Sequence, residues 1–117
     1  MSRNAKVLDR KVFYAGQVVF KEGDEGDRAY LIQDGEVQIS KNTVRGPVIL
    51  GNLGKGELFG EMALIDDQPR MATATVLGTT TCVVINRMTF NEKLQSADPF
   101  VRGLLNIFVR NIRNLSK

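Results

Sequence analysis

Residues 56–76 read GELFGEMALIDDQPRMATATV. Glycines lead into an apolar run that holds one acid, Glu61. A polar bend, Asp66-Asp67-Gln68, is followed by Pro69-Arg70 and a series of small residues. A charge placed among apolar residues needs a partner, so a lone Glu and a lone Arg here raise the question of what that partner is. Glu61-Met62-Ala63-Leu64-Ile65 is too short for a free-standing helix and suits a single turn following Gly60. Such a turn presents unpaired N–H groups and a positive dipole end, which attract an anion. Nine positions after Glu61, Arg70 enters a strand with a planar fork that matches phosphate oxygens. Met71-Ala72-Thr73 then brings backbone N–H groups close to a ligand, with little bulk at Ala72. Together these features imply a ligand with a phosphate and a hydroxyl nearby, as in a ribose phosphate.

Upstream of this segment the hydrophobic period is two. KVFY and QVVF are short strands separated by Ala15-Gly16, and KEGDEGD (21–27) is an acidic turn whose ligand spacing does not match a calcium loop. RAYLIQ and EVQISK flank Asp34-Gly35, a two-residue hairpin signal. PVILGNL follows a polar tip at 42–46, and MATATVL and TTCVVIN close the series. Many short strands between turns predict a mainly β, double-sheet or jelly-roll architecture. After residue 87 the period becomes helical. Thr89-Phe90-Asn91-Glu92 reads as a capping box, and Asp98-Pro99 as a second helix start. In that last helix Val101, Leu104, Leu105, Phe108, Ile112 and Leu115 form one apolar face, which Phe100, Ile107 and Val109 widen, with Arg102, Arg110, Arg113 and Lys117 opposite as a solvated stripe. An arc this wide is expected to pack in part on the barrel and in part to cover a ligand or meet another chain. Tyr30 and the phenylalanines are expected in the core.

Phe59-Gly60-Glu61-Met62-Ala63-Leu64, four residues, and Pro69-Arg70-Met71-Ala72-Thr73 resemble the phosphate-binding cassette of cyclic nucleotide-binding domains. That family includes regulatory subunits of cyclic AMP-dependent protein kinase, cyclic-nucleotide-gated channels and the bacterial catabolite activator protein. The cassette spacing is closer to the kinase and channel members. Phe13, Gly16, Val19, Phe20, Glu22-Gly23-Asp24, Tyr30-Leu31-Ile32, Gly35-Glu36-Val37 and Gly54-Lys55-Gly56 extend the likeness, and Phe90 begins the helical tail.

The resemblance implies a double-stranded β-helix (jelly-roll) barrel with C-terminal α-helices and a short helix in the cassette. The expected division is an N-terminal extension (1–10), a barrel (11–87) containing the cassette (59–73), and C-terminal helices (88–117). Arg70 would pair with the exocyclic phosphate oxygens, and Glu61 would accept from the ribose 2′-hydroxyl. Phe59, Gly60, Met62, Ala63, Met71 and Ala72 would complete the ligand site. Members that favour cyclic GMP often carry threonine directly after this arginine. Met71 cannot donate a hydrogen bond, which favours cyclic AMP over cyclic GMP. Phe100, Leu104 and Phe108 are candidates to cover the base.

Composition narrows the remaining classes. The chain has 117 residues, 43% hydrophobic and 25% charged, with net charge +3 and no histidine. Imidazole catalysis and histidine metal sites are therefore excluded, and no cofactor, metal or catalytic residue is expected. Cys82, the only cysteine, reads as a small buried hydrophobe. The charged N-terminus carries no signal-peptide pattern, and no run approaches the ~18 apolar residues of a membrane span. The expectation is a cytoplasmic sensor or regulatory module. Its partners would be a cyclic nucleotide, an effector in trans or a missing domain, and a second copy through the C-terminal helix. Direct nucleic-acid binding is not expected. The alternatives are a degenerate domain serving protein interaction, in which Glu61 and Arg70 pair with each other, and the sensor fragment of a transcription regulator.

Overall fold

The computed structural model describes residues 9–115, so most of the expected N-terminal extension and Lys117 lie outside the described residues. Asp9 and Arg10 belong to no extension. They open the first strand, β1 (Asp9–Phe13), which pairs with β8 (Thr80–Asn86) from Asp9↔Val84 to Phe13↔Thr80.

The other strands are β2 (Val18–Phe20), β3 (Arg28–Asp34), β4 (Val37–Thr43), β5 (Gly46–Leu53), β6 (Leu58–Phe59) and β7 (Thr73–Val76). They form two antiparallel four-stranded sheets, β1-β8-β3-β6 and β2-β7-β4-β5. The expected jelly-roll class is therefore what the chain adopts. Alternation on the strands turns one side of each sheet inward. Phe13, Tyr30, Ile32, Val37, Phe59, Ala74, Val76 and Cys82 meet between them as the core. Tyr30 stacks on Phe59 at 5.2 Å between ring centroids and meets the edge of Phe13 at 6.2 Å, so three strands of one sheet share an aromatic seam.

Asp34-Gly35 does not make a hairpin. β3 is bonded to β8 and β6, and β4 to β7 and β5, so both edges of each strand are occupied and the two never pair. The dipeptide is a corner that carries the chain from one sheet to the other. Gly35 has φ +107°, and a Cβ there would lie 2.4 Å from Thr80 Oγ1. That hydroxyl, fully buried, accepts from Glu36 N at 3.2 Å and donates to Gly78 O at 2.9 Å. The positive φ signalled by the glycine is real; the strand pairing inferred from it is not. The hairpin that does form is β4–β5, closed at Thr43↔Gly46 by Thr43 Oγ1 donating to Gly46 O at 2.7 Å.

Three helices follow the pattern of the sequence with corrected caps. α1 (Met62–Asp66) is the short cassette helix. α2 (Arg87–Gln95) starts earlier than the capping-box reading placed it. Asn86 is the cap, its side chain accepting from Thr89 N at 2.8 Å, so Thr89 lies in the first turn. α3 (Pro99–Leu115) begins where Asp98-Pro99 indicated, with Asp98 Oδ1 accepting from Phe100 N at 2.7 Å. Among the described residues no helix is long and apolar enough to cross a membrane.

Only one edge of the wide apolar arc on α3 docks, and most of the arc stays exposed. α3 packs on α1, and Val109 is its one buried residue. Arg102, Leu105 and Arg113, one turn apart from it or from each other, are half-buried beside it. Phe100 and Phe108 are 74% and 52% exposed, so neither is a core residue. Arg113 is no part of a solvated stripe. Its Nε and one Nη reach both oxygens of Asp66, and its other Nη donates to Pro69 O at 2.9 Å. A two-pronged arginine–carboxylate pair with both side chains less than one-fifth exposed ties α3 to the cassette. Arg102 is half-buried with its Nε partnerless, whereas Arg110 is exposed as expected.

Candidate functional site

The cassette bends around Arg70. β7 cannot extend back to Arg70 because its ladder with β4 ends at Ser40↔Thr73. The backbone of Arg70 bonds instead to the acidic turn, its N–H donating to Asp24 O and its carbonyl accepting from Gly23 N, both at 2.8 Å. The KEGDEGD segment is thus a turn whose main chain holds the arginine.

The Arg70 side chain points inward and is 6% exposed. One Nη donates to Gly60 O at 2.6 Å and the other to Arg28 O at 2.7 Å, while the guanidinium lies 4.0 Å from the Phe20 ring centroid. An arginine has five N–H donors, and these bonds engage two. The Nε–H is buried without a partner. Burial draws the guanidinium below its ordinary range, and Tyr30, Asp27 and Asp24 pull it back. It remains a cation at any physiological pH.

Two glycines make room for this side chain. Gly60 has φ +83°, and a Cβ there would lie 2.9 Å from an Arg70 Nη. At Gly26 a Cβ would lie 2.3 Å from the guanidinium carbon and from Nε. Gly60 is part of the cassette pattern in the sequence, whereas Gly26 lies outside it. The signal available was only the glycine punctuation of the acidic turn.

Gly60 leads into α1, whose first amides, those of Met62 and Ala63, have no preceding helical turn to bond to. Ala63 and Leu64 are buried, and the turn packs on α3 and α2. Glu61 precedes it, with its backbone carbonyl accepting from Leu64 N and Ile65 N. Its carboxyl is pushed up from the ordinary range by burial, against the downward pull of a bond to its own backbone and the charge of Arg70. Among the described residues no ion pair joins Glu61 to Arg70, so the two charges do not neutralise each other as a structural bridge would.

A cavity of about 200 Å³ opens between these elements. All eight residues singled out from the sequence, Phe59, Gly60, Glu61, Met62, Ala63, Arg70, Met71 and Ala72, line it. Its other walls are Phe20, Ile39, Leu53 and Leu58 from the barrel and Ile112 and Arg113 from α3. None of the barrel residues in this second group was singled out as lining the site. They are ordinary strand residues whose neighbourhood appears only once the sheets are closed. Phe100, Leu104 and Phe108, the candidates to cover a base, do not line it. The docked face of α3 turns the next turns of the helix, at Ile112 and Arg113, toward the cavity instead. Chemically, the site offers a cation with donors to spare, free helix-start amides, one carboxyl acceptor and an apolar wall.

The family model for the cyclic nucleotide-binding domain matches residues 10–97. The regulatory subunit of cAMP-dependent protein kinase from Dictyostelium discoideum is 37% identical over 102 residues, which cover 84% of this chain and 31% of that protein. The EAL enzyme Bd1971, solved in a cAMP-bound form, superposes with a TM-score of 0.85 at 34% identity over 90% of this chain and 28% of that one. The catabolite activator protein of Thermus thermophilus superposes with a TM-score of 0.76 at 28% identity, over 92% of this chain and 51% of that one. The chain therefore spans about a third of the length of the Dictyostelium regulatory subunit.

Proposed function

The chain belongs to the cyclic nucleotide-binding domain family, and from that premise we propose that it is a receptor for cyclic AMP that returns its ligand unchanged. The observation that carries this is Arg70: a buried cation with uncommitted N–H donors at a cavity that also holds the Glu61 carboxyl, which has no ion-pair partner among the described residues. In this reading the remaining Arg70 donors take the exocyclic phosphate oxygens. The amides of Met62, Ala63 and Ala72 line the phosphate, and Glu61 accepts from the ribose 2′-hydroxyl. The barrel from β1 onward and the helices α2 and α3 work as one domain.

The purine would lie against Ile39, Leu53, Leu58 and Met71, with Ile112 above it. Guanine carries more hydrogen-bonding groups than adenine on the edge that this apolar wall would cover, and Met71 supplies no donor. An unpaired polar group in such a site lowers affinity, which supports cyclic AMP over cyclic GMP. Structures of the relative Bd1971 exist in both cAMP-bound and cGMP-bound forms, so both nucleotides belong in the test. Titration calorimetry of the chain with each is expected to show saturable binding with the tighter constant for cyclic AMP. Equal constants would remove the Met71 reading, and no heat with either would remove the receptor.

The proposed output is a switch. A ligand held by Gly60–Ile65 and Arg70 would act on α3 through the Asp66–Arg113 and Pro69–Arg113 contacts, shifting the helix only by its differential affinity for two arrangements. The exposed apolar face of α3, with Val101, Phe108 and Leu115 seven residues apart, supports a homodimer through this helix. An effector in trans or a further domain would read the change. A cytoplasmic setting is part of the same reading.

Glu61 gives the proposal a pH signature. Its folded pKa is raised, so the free protein holds the carboxyl proton more tightly than an unfolded chain does. That contribution to stability is present at low pH and is lost as pH rises through the folded value. Ligand binding runs the other way, because the 2′-hydroxyl donates best to the ionised carboxylate. Cyclic AMP affinity is expected to fall as pH drops through the raised Glu61 value, by at most about tenfold per unit. Glu61→Gln is expected to bind more weakly at pH 7.5 and to flatten that profile. A profile identical in wild type and Glu61→Gln would assign Glu61 to holding the loop rather than the ribose.

A further inference from the structure

Met71 and Ala72 line the cavity, yet no backbone ladder supports them. β4 and β7 pair from Val37↔Val76 to Ser40↔Thr73 and then part, while Lys41 stays paired with Val48 of β5 on its other edge. On the other side of β7, β2 reaches only Ala74 and Thr75. The two residues that follow Arg70 therefore bridge a gap between the acidic turn, which holds Arg70, and the sheet, which holds Thr73.

Two side chains span that gap. Lys41 Nζ donates to Met71 O at 3.0 Å, supplying the rung that the β4–β7 ladder lacks beyond Thr73. The same ammonium lies 3.3 Å from Glu22 Oε2, and Glu22 Oε1 accepts from Asn42 N at 2.8 Å. The Glu22 backbone N–H donates to Thr73 Oγ1 at 2.9 Å. Glu22 is next to Gly23, which bonds to Arg70 O. Turn, β4 and the entry of β7 are thus crosslinked around one peptide. Both side chains are about one-quarter exposed or less, so the pair is shielded more than a surface ion pair. The Asn42 amide, with help from Lys41 and against the cost of burial, holds the Glu22 carboxyl below the ordinary carboxylate range.

We propose that Glu22 and Lys41 are positioning residues for the nucleotide site: through the Met71 carbonyl they hold the Arg70–Ala72 segment in the conformation that receives the phosphate. This depends on the receptor reading of the cavity. Neither residue lines the cavity, and their effect on a ligand passes through the main chain. The orientation of the Ala72 amide and of the Met71 side chain is set by the peptide that Lys41 grips.

The test is Lys41→Met, which keeps the apolar stem and removes the ammonium, with Lys41→Arg as the conservative counterpart. Amide hydrogen exchange of residues 70–73 and calorimetry with cyclic AMP are read on all three proteins. Lys41→Met is expected to speed exchange at 71–73 and to weaken cyclic AMP about tenfold, with thermal stability little changed. Lys41→Arg, which can still donate to the carbonyl, should restore both. Unchanged exchange, or wild-type affinity in Lys41→Met, would overturn the proposal. If wild type bound neither nucleotide, the receptor reading would fail by itself. An exchange difference would then mark a structural crosslink only, which also overturns the positioning role.

Discussion

Arg70→Ala is expected to weaken cyclic AMP by about 2–4 kcal/mol, roughly thirty- to a thousandfold. The substitution removes charge-assisted hydrogen bonds to an anion and leaves the phosphate facing two carbonyl oxygens, those of Gly60 and Arg28, that the guanidinium now neutralises. The same loss bears on stability. Each stranded carbonyl costs on the order of 1–3 kcal/mol when kept from water, and the stacking on Phe20 goes as well. A lower melting temperature is therefore part of the expected result. Arg70→Lys separates the two effects: it keeps the charge but cannot reach both carbonyls and a phosphate with one ammonium. Calorimetry on Arg70→Lys, in a protein shown to be folded by its melting transition, should still show a loss above tenfold. Wild-type affinity in either folded variant would remove Arg70 from the site.

Gly26→Ala is expected to cost cyclic AMP affinity nearly as much, about 1.5–3 kcal/mol or roughly ten- to a hundredfold, though it adds only one methyl outside the cassette. A Cβ at Gly26 would lie 2.3 Å from the Arg70 guanidinium carbon and Nε, far inside contact distance. The turn is held by backbone bonds to Arg70 on both of its amide groups. The flexible partner is thus the guanidinium, and it must leave the place where Gly60, Arg28 and Phe20 hold it. Affinity measured beside Arg70→Ala should show the two variants close together, and the double variant little worse than either, since both act on one group. Additive losses would mean that Gly26 acts elsewhere. Retained affinity would mean that the turn yields instead.

These two residues also mark what a sequence can and cannot reveal about this molecule. Arg70 was legible because its neighbours are local: Pro69 before it, small residues after it, and an acid nine positions back in a short turn. The eight cassette residues named through the family resemblance all line one cavity. Gly26 was not legible, because its reason is a side chain 44 positions away that only the closed fold brings overhead. Asp34-Gly35 failed similarly. The dipeptide reports a positive φ, but the pairing of the flanking strands is decided by β8, β6, β7 and β5.

The last helix shows the limit from the other side. Hydrophobic pattern alone faces Val101, Leu104 and Phe108 inward. The docked face is instead the edge of the arc at Val109, flanked by Arg102 and Arg113 from the charged side. Arg113 can turn inward because Asp66 and the Pro69 carbonyl are waiting for it at the end of the cassette helix. A half-buried arginine with a two-pronged partner and a carbonyl is tolerated where an unpaired one is not. No pattern within the helix records a partner 47 residues upstream. The consequence reaches the site, since it brings Ile112 and Arg113, rather than Phe100 or Phe108, to the cavity.

The most direct measurement is a nuclear magnetic resonance titration of the labelled chain with cyclic AMP, observing the Arg70 guanidinium protons together with the amides of Met62, Ala63 and Ala72. The guanidinium has a buried Nε–H without a partner and the cassette amides are free, so both should shift downfield together and saturate with one binding constant as phosphate oxygens arrive. Shifts confined to other residues, or none at millimolar nucleotide, would show that this cavity is not where a cyclic nucleotide binds.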